Sequence, residues 1–188
     1  MNSKKPRNAK DRILDCAEEL VVEIGAGNLT LDAIAERAQI SKGGLLYNFP
    51  TKESLLKAIV SRLIERFDKL HEQVRNQIPE GPGRDLKAYV HARLEMSGAM
   101  NQFQINQNVC ASLLAVFAND PKLVAPIREV FKKRLDTIEK STSSFEKAAI
   151  IAFAAEGLAF LELIQFSPLD KKKRKRFVKA LMDWIEEE

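Results

Sequence analysis

Two adjacent glycines, Gly43 and Gly44, sit among side chains suited to holding oxyanions and reading hydrogen-bonding edges: Thr30, Ser41, Lys42, Tyr47, Asn48 and Lys52. A serine or threonine at a helix start leaves free backbone N–H groups and the positive end of the helix dipole nearby, which together suit a phosphate. The lysines add positive charge, and the phenol and the amide add donors. Each glycine weakens a helix by about 1 kcal/mol relative to alanine. A glycine pair inside one short helix therefore needs a reason. Removal of side-chain bulk, so that the helix backbone can come close to a base or sugar, supplies one.

Other chemistry is thin along the chain. His71 and His91 have no nucleophile or metal companion close in sequence, and no glycine-rich phosphate loop occurs, so no catalytic residue, metal or cofactor is expected. Cys16 and Cys110 lie far apart with no CxxC and no Cys/His cluster. They read as buried thiols of a reduced cytoplasm.

The elements that must position the polar group follow from spacing. Arg7 to Ile24 carries Ile13, Ala17, Leu20, Val21 and Ile24 at helical intervals, and Gly25 and Gly27 end it. Thr30 caps a short helix that buries Leu31, Ile34, Ala35 and Ala38. Ser41 caps the next, from Lys42 to Phe49, and Pro50 closes it. Thr51 then opens a long helix to about Gln77, with Leu55, Leu56, Ile59, Leu63, Phe67, Leu70 and Val74 on one side. Two short helices joined by a tight turn describe a helix-turn-helix, whose second helix enters the major groove of DNA. The basic residues Lys4, Lys5, Arg7, Lys10 and Arg12 form an arm with a possible phosphate or minor-groove role, or a frayed tail.

The sequence has 188 residues, 45% hydrophobic, with a formal charge of +4, which fits a folded chain that tolerates nucleic acid without requiring it. The N-terminal stretch has charges but no apolar run behind them, so a signal peptide is not expected. Ala148 to Phe166 imitates a membrane span, yet Glu156 and Glu162 fall inside it, which favours a buried helix. EGPG at residues 80–83 is the clearest break. Beyond it five helices are expected, roughly Arg84–Met100, Ile105–Ala118, Pro121–Ser141, Phe145–Phe166 and Asp170–Glu187. The expected fold is all-α: a helix-turn-helix domain over 1–50, a connecting helix over 51–79 and a helical domain over 84–188.

LTLDAIAERAQISKGGLLYNFPTKESLL, residues 29–56, resembles the DNA-binding region of the TetR family of bacterial transcriptional regulators. Thr30, Ile34, Ala35, Ala38, Ser41, Gly43, Leu45, Phe49 and Lys52 match that family's pattern without a gap. Gln39 replaces the glycine usual in the turn, Leu46 the first tyrosine, and Asn48 the usual histidine. The resemblance implies a cytoplasmic homodimer on palindromic double-stranded DNA, a repressor released by a partly apolar small molecule, with no membrane role. It also implies a ligand pocket in the second domain, with Met96, Met100, Phe103, Cys110, Leu114, Phe117, Phe131, Phe153, Glu156 and Phe160 as candidates.

Within that pocket, Glu156 meets either a cationic or hydroxylated ligand or a basic residue of the fold. Small residues Ala148, Ala152, Ala155 and Ala159, with the stripe Phe177, Leu181, Trp184 and Ile185, suggest a four-helix dimer interface; an intramolecular core is the other reading. The run DKKKRKR at 170–176 reads as a solvated helix face rather than a second DNA site. The alternative function is a helical protein-interaction adaptor with altered DNA binding, which the departures at Gln39, Leu46 and Asn48 keep open.

Overall fold

The computed structural model describes residues 8–95, 101–140 and 142–187, with the side chains of 95, 101–107, 115, 119 and 121 set aside. The described residues form nine α-helices and no strand: α1 (Ala9–Ile24), α2 (Leu31–Arg37), α3 (Lys42–Asn48), α4 (Lys52–Arg75), α5 (Arg84–Val90), α6 (Asn101–Asn119), α7 (Ala125–Lys140), α8 (Phe145–Leu163) and α9 (Lys171–Glu186). The chain groups into two compact units, Met1–Leu63 with Asn108–Pro126, and Ile64–Gln107 with Ile127–Glu188. α4 and α6 each run from one unit into the other. Among the described residues no helix is long and apolar enough to cross a membrane.

In the first unit Leu31, expected buried, is half-buried, and Ile24, expected on the apolar face of α1, is exposed. Asn8 Oδ1 accepts from the Asp11 amide at 2.7 Å and caps α1. Gly25, at φ +80°, ends that helix. Ile13, Ala17, Val21, Ile34, Leu45, Phe49, Leu55 and Ile59 are buried. α1 packs on α2, and α2 on α3. Arg62 of α4 binds Asp15 and lies 3.6 Å from Glu18, a buried acid on the inner side of α1.

The α2–α3 turn is a Schellman cap. The Ile40 amide donates to the Ala35 carbonyl at 3.0 Å and the Gln39 amide to the Glu36 carbonyl at 3.1 Å. Gln39 itself sits at φ +53°, in the left-handed region that glycine would occupy without strain.

In the second unit α5 packs on α8 and α9 around Leu86, Tyr89, Val90, Ile151, Ala155, Leu158, Val178 and Ile185. The helix expected to continue to Met100 departs from α geometry after Val90, where His91–Glu95 form a π turn. Pro121 opens a short 3-10 turn, and α7 starts only at Ala125. Arg84 is buried because its guanidinium closes the end of α4, donating to the Arg75 carbonyl at 3.0 and 3.2 Å. α8 ends in a second Schellman cap, with Gln165 at φ +57° and the Phe166 amide on the Leu161 carbonyl at 2.7 Å.

Candidate functional site

The two glycines of α3 have different causes. A Cβ on Gly44 would stand 3.2 Å from Ser41 Oγ, the atom that accepts from the Gly44 amide at 3.1 Å and caps the helix. Gly44 therefore serves the cap. A Cβ on Gly43 would meet nothing within 4 Å. Nothing inside the chain requires a glycine there, although it weakens the helix.

Around this open backbone Tyr47 is 89% exposed, and Leu46 is exposed beside it. Thr30 Oγ1 accepts from the Ala33 amide at 3.2 Å. Both capping hydroxyls thus use an acceptor lone pair and keep an O–H to donate to a phosphate oxygen.

The other predicted contacts are partly engaged. Lys42 Nζ lies 2.8 Å from Asp32 Oδ1, with both side chains largely exposed, so the pair contributes little and can open. Asn48 Nδ2 donates to the Gly44 carbonyl at 2.9 Å, folding the amide along its own helix and leaving Oδ1 as acceptor. Lys52 Nζ donates to the Gly27 carbonyl at 2.7 Å, which ties the start of α4 to the 3-10 turn Ala26–Asn28. An ammonium has three donors, so two remain. Lys10 lies 5.8 Å from the centre of the Phe49 ring, and Arg12 donates to the Ala38 carbonyl at 3.0 Å. These two cations hold α1 against the motif; Lys4, Lys5 and Arg7 lie outside the described residues.

Two cavities of the second unit are bordered by described residues. The larger, about 420 Å³, is lined by charged groups from α4, α5 and α7 that neutralise one another: Arg75 Nε on Asp85 at 2.6 Å, and Arg134 on Asp68 at 2.5 Å. His71 lies in its wall, edge-on to Tyr89 at 6.5 Å between ring centres. Burial holds the His71 imidazole below its ordinary pKa.

The smaller cavity, about 280 Å³, has an almost wholly apolar surface, with walls of Phe131, Leu135, Ile138, Ala152 and Phe153, and Arg128, Lys132, Arg134, Tyr89 and Glu156 border it. Tyr89 donates its hydroxyl to Glu156 Oε1, and Arg93 Nε donates to the same oxygen at 2.9 Å. Burial first, and then the adjacent carboxylate, push the Tyr89 phenol well above its ordinary pKa. Its apolar walls make this the better site for an apolar organic group.

Two family models cover most of the chain. Residues 13–59 match "Bacterial regulatory proteins, tetR family", and residues 83–186 match "Tetracyclin repressor-like, C-terminal domain". The chain belongs to the TetR family. Among curated relatives, the HTH-type transcriptional regulator RutR of Escherichia coli (strain K12) is 29% identical over 143 residues, 76% of this chain and 60% of RutR. QacR of Staphylococcus aureus (strain Mu50) is 33% identical over 90 residues, 48% of this chain and 46% of QacR. The chain thus spans well under two thirds of the length of these relatives. A TetR-family member from Streptomyces coelicolor A3 shares the fold at TM-score 0.72 and 17% identity, over 95% of this chain and 98% of that one.

Against this TetR-family frame the sequence-predicted residues divide. Ser41, Lys42, Gly43, Gly44, Tyr47 and Asn48 are gathered on α3 and its cap, with Thr30 and Lys52 capping or opening the helices on either side. Of the pocket candidates, Phe131, Phe153 and Glu156 line the apolar cavity. Cys110, Leu114 and Phe117 belong to the other compact unit, and Phe160 is an exposed residue outside the lining. Met96 and Met100 lie outside the described residues, as does the side chain of Phe103. Glu156 resolves to its intramolecular reading, through Arg93 and Tyr89. Sequence reasoning missed Arg128, Lys132, Leu135 and Ile138, although their spacing marks one side of α7.

Ala148, Ala152, Ala155 and Ala159 are buried within the chain's own core, as are Leu181 and Ile185, and Phe177 packs against that core. The small alanine side chains admit α5 and the π turn. The exposed apolar side of α8 is Ile150, Phe153, Phe160, Leu161 and Ile164, and Trp184 of α9 is also 39% exposed. The basic run is corrected in part. Arg174 is half-buried, binds Glu162 at 2.6 and 3.2 Å and donates to the Leu94 carbonyl at 2.6 Å.

Proposed function

We propose that this chain is a sequence-specific DNA-binding transcriptional regulator, a cytoplasmic homodimeric repressor that a small molecule releases from a palindromic operator. The observation that carries the reading is Gly43: a helix-weakening residue with open space at its Cβ, beside the 89% exposed Tyr47. A helix backbone bared in this way suits close approach to a major groove. Two hydroxyl caps and three lysine or tyrosine heads around it suit the flanking phosphates.

A second copy covering the Ile150–Phe153–Phe160–Ile164 side of α8 accounts for its exposed aromatic and aliphatic groups. It would also present two recognition helices to two half-sites. Arg134 borders the apolar cavity and pairs with Asp68 on α4. α4 continues through Lys52 into the motif. An effector must favour one α4 position over the other, since equal binding to both shifts nothing.

Gel shift of the intact protein on the DNA upstream of its own gene tests the reading. A salt-sensitive, site-specific complex supports it. Absence of any site preference, with the protein folded and dimeric, overturns it.

A further inference from the structure

The charges around the apolar cavity do not cancel. Glu156 is neutralised from inside the protein by Arg93 and hydrogen-bonded by Tyr89. Arg134 is neutralised by Asp68, and its guanidinium lies 4.3 Å from the centre of the Phe67 ring. Arg128 and Lys132, one helical turn apart on α7, also line the cavity, and both are exposed. Among the described residues neither has a carboxylate within ion-pair distance. The site therefore combines a greasy wall of Phe131, Leu135, Ile138 and Phe153 with two exposed bordering cations that have no counter-charge among the described residues.

Resting on the regulator reading above, we infer that this cavity takes an amphipathic organic anion, its apolar body between Phe131, Leu135, Ile138 and Phe153 and its carboxylate toward Arg128 and Lys132. An organic cation is disfavoured. Among the described residues the lone bordering acid, Glu156, already holds a guanidinium, and a cationic ligand would lie beside the like charges of Arg128 and Lys132. A neutral ligand of the same length would gain the walls but not the charges. The volume, about 280 Å³, suits a chain shorter than a membrane lipid's.

Three probes of equal chain length separate the possibilities: octanoate, octanol and octyltrimethylammonium, each titrated into the intact protein by calorimetry without DNA. The expected order is octanoate at least tenfold tighter than octanol, with octyltrimethylammonium weakest. The double variant Arg128→Gln, Lys132→Gln is expected to bring octanoate to the octanol level while its unfolding midpoint without ligand stays put, since neither cation holds the fold together. Tighter binding of the ammonium probe overturns the inference, as does equal binding of octanoate and octanol. Preference for octanoate that survives in the double variant also overturns it. The gel shift on ligand-free protein is scored separately, so a chain that binds octanoate but no operator refutes the regulator reading and not the cavity assignment.

Discussion

Two helices of this chain end on a glutamine where the backbone geometry asks for glycine. Gln39 at φ +53° and Gln165 at φ +57° each occupy the left-handed position of a Schellman cap, and both side chains are exposed. The left-handed conformation costs an L-residue about 1–2 kcal/mol. Glycine removes that strain, but its floppier unfolded chain takes back about 0.5–1 kcal/mol. The net gain for Gln→Gly is therefore about 0.5–1 kcal/mol at each cap. The cap hydrogen bonds are made by backbone atoms and survive the substitution. The two caps share no hydrogen-bond partner, so their effects should add to about 1–2 kcal/mol. In a protein of this size that raises the melting midpoint by roughly 4 °C.

Urea titration followed by circular dichroism, on Gln39→Gly, Gln165→Gly and the double variant, measures the change. If the two units unfold in separate steps, each substitution should move only its own transition. Alanine is the control, since it keeps the strain and should gain nothing. The reasoning is refuted if Gln39→Gly is no more stable than Gln39→Ala, because the strain would then be absent or relieved elsewhere.

Three further outcomes are expected. Gly43→Ala should stabilise the first unit by up to about 1 kcal/mol while weakening operator binding, whereas Tyr47→Ala should cost about 1–3 kcal/mol of binding and leave stability unchanged; gel shift and urea titration on the same preparations separate the two effects. His71, held below the ordinary 6.5 by burial, binds a proton more readily in the unfolded chain, so its contribution to stability is complete above about pH 6.5 and is lost as pH falls further. Melting curves from pH 8 to 5 should show this loss reduced in His71→Asn, and an unchanged slope would exclude His71 as its source. Arg174→Gln should destabilise the second unit by about 2 kcal/mol, because half-buried Glu162 loses its cation and the Leu94 carbonyl loses the guanidinium donor; a midpoint within error of the parent would mean the run is a solvated face after all.

What could be read directly from the chain was local. Thr30 and Ser41 each cap the helix that follows, through hydrogen bonds spanning three residues. That is why the helix-turn-helix and its polar cluster were legible before any coordinates. Asn8, Ser144 and Asp170 cap their helices in the same way but were not read as caps. The departure at Gln39 was legible only through the resemblance to the TetR family, which usually carries glycine in that turn, and the structure places Gln39 at φ +53°.

Tertiary structure decided the questions that depend on which side of a helix meets which neighbour. α8 is apolar nearly all round, so its periodicity names no inner face. Packing settled the matter: Ile151 and Leu158 turn inward with the alanines, where α5 and the π turn come close, and Ile150, Phe153 and Phe160 are left outward. Glu156 met Arg93 and Tyr89 across 63 and 67 residues of sequence. No short-range spacing encodes that separation, because only the packing of α5 and the π turn on α8 brings those atoms together.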